Sequence, residues 1–236
     1  MTGNTGLIIF SRHDSVRLPG KALMPIAGRP LLGHVIDRTR LVATKALAVV
    51  ATSDRPEDDA IAAFASQEGA AVFRGDLRDV AGRALACCRA HGFDRFARIC
   101  GDRPFLDPGL IDTLLQRQMA EDLDLATNVQ RRTYPAGLAT EIVATRALKH
   151  VIGATEDPED REHLTRYIYR QSQRFSIYNL SSTDLDYSDV NLALDTERDL
   201  QRCAWIAAQA EKSELLGWQD AARMAREWDA QRHSKS

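Results

Sequence analysis

Between Ser11 and Lys21 the chain brings together three cations (Arg12, Arg17, Lys21), two hydroxyls (Ser11, Ser15) and a Pro19-Gly20 turn. Arginine forks make paired hydrogen bonds to phosphate oxygens and a lysine adds a point charge, so the segment suits a polyphosphate ligand. Gly20 lets the backbone turn tightly towards such a ligand. Lys21 is notable because the chain has five lysines against 26 arginines. A solvated basic loop would carry the same charges, so charge alone leaves both readings open. Neither the G-x-x-x-x-G-K-[ST] loop nor the G-x-G-x-x-G fingerprint occurs, which argues against a Walker site and a Rossmann dinucleotide site.

Two aspartates follow apolar runs. Asp102 comes after Arg95–Gly101 and Asp195 closes Asn191–Asp195. Carboxylates at two separate strand ends could hold one hard divalent ion such as Mg²⁺ between them. Asp195 would serve equally as a helix N-cap ahead of Thr196-Glu197, and Asp102 as a turn residue before Pro104. Arg103, Arg161, His163 and the pair Arg131-Arg132 could meet an anion. His163 could orient a substrate or act as a base; a hydrogen-bonded structural histidine is the other reading.

These residues need elements to carry them. Leu7–Ser11, Ala46–Thr52, Ala71–Phe73 and Arg95–Gly101 read as short strands apolar on both faces, as in a parallel sheet covered on both sides. Between them Pro30–Leu41, Pro56–Gly69 and Asp79–Gly92 show helical spacing, with Pro30, Pro56 and Pro108 as start signals. The β-α-β-α alternation predicts an open, mostly parallel α/β sheet of Rossmann-like type with helices on both faces. In such a sheet ligands bind beyond the carboxyl ends of the strands, where the first loop lies. After Asn128 the rhythm changes: a turn at Tyr134–Gly137, a strand at Thr140–Ala144, a helix at Arg146–Gly153, another from about Pro158 to Gln171, then strands Phe175–Leu180 and Asn191–Asp195. The chain reads as one domain over 1–236. A small α+β insertion over 129–190, on the acceptor and dimer side, returns to the sheet at Asn191–Asp195. Residues 196–232 are expected to be helical, with an apolar stripe through Leu200, Cys203, Ile206 and Ala207 that covers the sheet or a second copy.

The chain has 236 residues, 44% hydrophobic and 27% charged, with a net charge of −2. These values suit a globular fold and argue against a nucleic-acid partner. No apolar run approaches a membrane span, and no secretory n-region precedes the first strand. Cys87, Cys88, Cys100 and Cys203 lack metal or disulfide spacing and suit buried thiols in a reducing compartment, so a soluble cytoplasmic protein is expected.

The pattern S-R-x-x-S-x-R-L-P-G-K over Ser11–Lys21, followed by Leu23–Leu32, resembles the opening of the cytidylyltransferases that activate sugar acids. It resembles especially the spore-coat polysaccharide (SpsF) type, related to the CMP-3-deoxy-manno-octulosonate synthetases. Further collinear resemblances run to about residue 200: Val72–Asp76 with Asp79, Val80 and Arg83; Gly101–Pro108; Tyr134–Leu138 with Glu141; Arg161–Thr165; and Leu194–Leu200. The resemblance implies a nucleotidyltransferase-type sheet and transfer of CMP from CTP, with Mg²⁺, to an anionic sugar such as a ulosonic or nonulosonic acid. Pyrophosphate is released, in surface polysaccharide or glycan biosynthesis, and a homodimer is expected. It also implies Asp102 and Asp195 as metal ligands. Arg12 and Lys21 join them as catalytic residues. Ser11, Arg12, Arg17, Lys21 and Arg74 would bind nucleotide, with Arg74 near the base. Arg103, Glu141, Arg161 and His163 would bind the acceptor. Three departures stand out: Arg103 in place of a small or thiol residue, Ala139 in place of an aspartate, and Cys100 where the octulosonate synthetases have glutamine. An added cation and a lost anion favour a more negative acceptor, so a phosphorylated or phosphonate acceptor is the nearest alternative. A degenerate nucleotide-binding subunit and a glycosyltransferase using Asp122-Leu123-Asp124 or Asp184-Leu185-Asp186 are the more distant ones.

Overall fold

The computed structural model describes residues 3–182, 186–209 and 216–233. Six of the strands expected from the sequence join one seven-stranded sheet: β1 (Thr5–Phe10), β4 (Leu47–Ser53), β5 (Ala71–Gly75), β6 (Arg95–Cys100), β8 (Glu141–Ala144) and β9 (Ile177–Asn179), with β7 (Leu125–Thr127) completing it. Its order is β5-β4-β1-β6-β8-β7-β9. All pairings are parallel except those of β8, which runs antiparallel to both β6 and β7. Strand alternation divides the apolar residues between two faces. Ile8, Val49, Phe96 and Val143 pack with α3 (Val80–His91), α5 (Thr145–Ala154) and α7 (Arg166–Arg170). Leu7, Ile9, Val50 and Ile99 pack with α1 (Leu31–Thr39), α2 (Asp59–Gln67) and α4 (Pro108–Glu121). A third core gathers α8 (Glu197–Gln209) and α9 (Trp218–His233) over Leu31, Phe105, Leu138 and Leu192. The short hairpin of β2 (Pro25–Ile26) and β3 (Arg29–Pro30), not foreseen, follows the first loop and contributes Ile26 to that core.

Two expectations need correction. Asn191–Asp195 is not a strand of the sheet. Beyond one bridge between Ala136 and Asn191 it is an extended segment, pinned where Leu192 N–H donates to Ala136 and Leu194 N–H to the Asp102 carbonyl at 2.9 Å. The later chain joins the sheet through β8 and β9 instead. The helix expected from Pro158 to Gln171 is broken into α6 (Pro158–Glu162) and α7 at His163–Thr165. Fully buried Asp160 accepts from Arg166 at 2.6 Å and Arg170 at 2.7 Å. A straight helix would hold Asp160 and Arg170 about 15 Å apart along its axis, so the break satisfies the buried carboxylate. In the C-terminal stretch, Leu216 and Gly217 precede α9 without helical structure. Leu200, Cys203, Ile206 and Ala207 do face the third core, covering the chain's own residues.

No helix among the described residues is long and apolar enough to cross a membrane. Burial pushes the thiols of Cys87 and Cys203 up to about 12 and that of Cys88 to about 11, as inert core residues. Cys100 differs from the expected pattern: it is half-buried and lines a cleft.

Candidate active site

The loop after β1 rises from the carboxyl edge of the sheet and is tied down by its own backbone. His13 carbonyl accepts the N–H groups of Ser15 and Gly20, both at 2.9 Å. Buried Asp58 accepts the His13 N–H at 2.6 Å and that of Ser53 at 3.1 Å, fastening the loop to the end of β4. Gly20 has φ 73°, a left-handed turn that delivers Lys21 into the sheet's edge.

Lys21 is the centre of the arrangement. Its ammonium donates to Asp102 Oδ2 at 3.0 Å, Asp195 Oδ1 at 2.8 Å and the Leu194 carbonyl at 2.7 Å. Burial opposes the charge, but Asp102 and Asp195 outweigh it and hold the lysine pKa above its ordinary value. Arg17 reaches the other oxygen of Asp195 at 3.0 Å. The capping question at Asp195 is resolved by its neighbours. Thr196 hydroxyl accepts the Asp199 N–H at 3.2 Å while Asp199 accepts the Thr196 N–H at 2.9 Å, a reciprocal cap that leaves the Asp195 side chain to the cleft. Asp102 likewise turns its carboxylate to Lys21, while Asp107 caps α4. Two carboxylates sharing one ammonium form a hard-oxygen donor set of the kind a divalent ion takes.

These groups line a cleft of about 450 Å³ together with Ser11, Arg12, Ser15, Arg17, Arg83, Arg98, Glu162 and His163. Five cationic and three carboxylate side chains face it, so the cleft favours an anionic ligand. Arg12 pairs with Glu162 at 3.0 Å, joining the first loop to the end of α6. Asp79 caps α3, whose first turn brings Val80 and Arg83 into the wall. Arg83 is buried, donates to the Asp76 carbonyl, and keeps Nε without a partner. Its burial, with Arg12 nearby, lowers its pKa.

The structure therefore brings Ser11, Arg12, Arg17, Lys21, Asp102, His163 and Asp195 to one cleft, and keeps six other sequence candidates off its lining. Arg74 lies beyond β4, donating to the Ser53 and Arg55 carbonyls and pairing with Asp59 at 2.6 Å. Arg103 donates to the Ala139 carbonyl and does not line the cleft, so this departure adds no cation there. Arg161 pairs with Asp79 at 3.4 Å. Glu141 is buried beneath Arg98. Arg131 and Arg132 are exposed elsewhere. Asp122 and Asp124 bind Arg146 before β7, beside Asp94 and Arg95 at the amino end of β6, so that triplet is remote from the cleft. Asp184-Leu185 of the other triplet and the expected tail Ser234–Ser236 lie outside the described residues. Sequence reasoning passed over Arg83 and Arg98 as site residues. The signal for Arg98 was present: a charge inside an otherwise apolar strand, opposite a glutamate that opens another.

The chain belongs to the cytidylyltransferase family, whose model matches residues 7–213. It is similar to the spore coat polysaccharide biosynthesis protein SpsF of Bacillus subtilis (strain 168), 31% identical over 201 residues covering 82% of each chain. It also resembles the 3-deoxy-manno-octulosonate cytidylyltransferase of Escherichia coli, 34% identical over 110 residues, 47% of this chain and 44% of that one. Among solved structures, a cytidylyltransferase from Leptospira borgpetersenii serovar Hardjo-bovis (strain JB197) shares the fold with a TM-score of 0.91 at 24% identity, covering 97% of this chain and 96% of that one. CMP:2-keto-3-deoxy-manno-octonic acid synthetase complexed with CTP shares it with a TM-score of 0.65 at 22% identity, covering 87% and 99%.

Proposed function

We propose that this cytidylyltransferase transfers CMP from CTP to a hydroxyl of an acidic sugar, releasing pyrophosphate. The observation that carries the reading is the convergence of Lys21, Asp102 and Asp195 with Arg12 and Arg17 at one end of the sheet. Nucleotidyl transfer is an in-line displacement at the α-phosphorus. The acceptor oxygen bonds to phosphorus, the bond to the β-phosphate oxygen breaks, and that electron pair leaves on pyrophosphate. His163 in the cleft wall takes the hydroxyl proton. Arg12, Arg17 and Lys21 hold the triphosphate and meet the charge that builds on the leaving oxygens. Asp102 and Asp195 would hold Mg²⁺, which when bound neutralises phosphate charge. Ser11 and Ser15 add hydrogen bonds from the loop. Arg74 orders the ends of β4 and β5 behind the nucleotide, through Ser53 and Arg55. The acid-sugar acceptor is supported by the names carried by the relatives and by the cationic cleft.

The test is thermal stabilisation by CTP, UTP, ATP and GTP, each with and without Mg²⁺, in wild type and Asp195→Ala. Only a nucleotide bound by the folded state shifts the transition. A CTP-selective shift, strengthened by Mg²⁺ and lost in the variant, is expected. No shift with any nucleotide would refute the proposal, and a CTP shift without pyrophosphate release would favour the degenerate nucleotide-binding subunit.

A further inference from the structure

Arg98 occupies an unusual position. It sits within β6 between buried Ala97 and Ile99, and it shares its face of the sheet with Cys100, which also lines the cleft. Its cross-strand partner in the antiparallel register is Glu141 on β8. Arg98 Nη1 donates to Glu141 Oε2 at 2.5 Å. The other glutamate oxygen accepts the Tyr169 hydroxyl at 2.7 Å, and that hydroxyl meets Thr127 Oγ1 at 2.9 Å. Glu141 is 2% exposed, whereas the Arg98 side chain keeps 20% exposure in the cleft. Among the described residues no other protein acceptor takes the remaining Arg98 N–H groups. An arginine clamped on one edge by a buried carboxylate has its fork held in place and its other edge free for a ligand.

The sheet order divides the cleft. The phosphate-suited loop follows β1, flanked by β4, whereas Arg98 belongs to β6 and is tied to β8 on the opposite side. His163 and Glu162, from the break after α6, also line the cleft, with Glu162 paired to Arg12 of the first loop. We propose that Arg98 is the residue that recognises the anionic group of the acceptor, with Glu141 and Tyr169 as its positioning residues. The inference rests on the acid-sugar reading given above. Glu141 offsets the arginine charge, so the free edge offers two directed donors with little net charge, which suits a singly charged carboxylate better than a doubly charged phosphate.

The experiment measures pyrophosphate release with CTP and Mg²⁺, using 3-deoxy-manno-octulosonate and N-acetylneuraminate as carboxylate probes and glucose 6-phosphate as the phosphate probe. Arg98→Lys keeps the charge opposite Glu141 but loses the fork. The acceptor KM is expected to rise about tenfold to a hundredfold, with the KM for CTP and the CTP-induced thermal shift unchanged. Tyr169→Phe, which loosens the clamp, should raise the acceptor KM several-fold with the same split. The double variant Arg98→Met/Glu141→Gln removes both charges together, so a folded protein remains for the assay if Arg98→Lys proves unstable. Its acceptor saturation should be lost while CTP still binds. A parallel rise in both KM values, or an unchanged acceptor KM in any folded variant, would overturn the role of Arg98. Wild-type protein that binds CTP yet uses neither carboxylate probe, with or without turnover of the phosphate probe, would overturn the acid-sugar reading and the role of Arg98 with it. Absence of CTP binding would instead refute the nucleotide half.

Discussion

Replacing Lys21 by methionine removes the one cation that both aspartates share and leaves Asp195 with Arg17 alone. Lys21 is 12% exposed at its side chain and the carboxylates 26% and 31%, so the pairs are neither fully screened nor fully dry. Exposed pairs contribute about 0–1 kcal/mol and breaking a buried one costs about 3–5 kcal/mol, which sets the loss here at about 2 kcal/mol. For a chain of this length that corresponds to a fall in Tm of about 4–8 °C. The carboxylates are left facing each other, so Mg²⁺ without nucleotide should stabilise Lys21→Met more than wild type, and Lys21→Met/Asp195→Asn should recover part of the loss. Because the lysine pKa is raised in the fold, its contribution is complete below its ordinary value of 10.5 and is lost as pH rises through the folded value. Wild type and variant should therefore converge in stability only in that alkaline range. Differential scanning calorimetry across pH, with and without Mg²⁺, reads all of this, and pyrophosphate release should fall about a hundredfold to a thousandfold. An unchanged Tm, an equal Mg²⁺ shift in the two proteins, or retained turnover would refute the assignment of Lys21 as the shared counter-ion.

Other outcomes follow from the same geometry. Glu141→Gln should remove a contribution that wild type has above about pH 4.5. Burial alone would raise this carboxyl's pKa, but Arg98, Tyr169 and Thr165 lower it below its ordinary value of 4.5, so the wild-type advantage should fade as pH falls through the lowered value in urea unfolding. Gly20→Ala places a Cβ in a left-handed turn at φ 73° and 3.2 Å from the His13 ring, which should cost about 1 kcal/mol and weaken CTP binding measured by calorimetry. Gly137→Ala builds a Cβ 2.6 Å from the backbone at Leu192 and Ala193, so the segment carrying Asp195 must shift. Pyrophosphate release should drop by at least tenfold, although residue 137 lies off the cleft lining. His163→Asn should lower kcat by about a hundredfold, leaving the CTP thermal shift intact.

Much of this was legible in residue order. The strands β1, β4, β5 and β6 are runs apolar on both faces, and that pattern survives any detail of packing because both faces of a covered parallel sheet are dry. The loop from Ser11 to Lys21 was legible because its functional groups are neighbours in sequence. The extended form of Asn191–Asp195 was legible, but its membership of the sheet was not: Leu192 and Leu194 are fully buried by the third core and bonded to loop carbonyls, a tertiary alternative that looks identical to a strand in sequence. The break at His163 was hidden for the same reason, since the carboxylate that demands it, Asp160, has ordinary helical neighbours.

The sequence by itself determined the α/β alternation, the cationic loop and the identity of the two aspartates, because each depends on residue types over a few adjacent positions. Tertiary structure decided which charges are spent within the protein and which remain for a ligand. Arg74, Arg103 and Arg161 look as available in sequence as Arg12 does, yet each donates to a carbonyl or carboxylate away from the cleft. Arg98 looks misplaced in its strand, yet Glu141, brought opposite by antiparallel pairing across 43 residues, makes it a fixed wall of the cleft. Whether an arginine is free depends on long-range partners whose separation along the chain bears no relation to their distance in space.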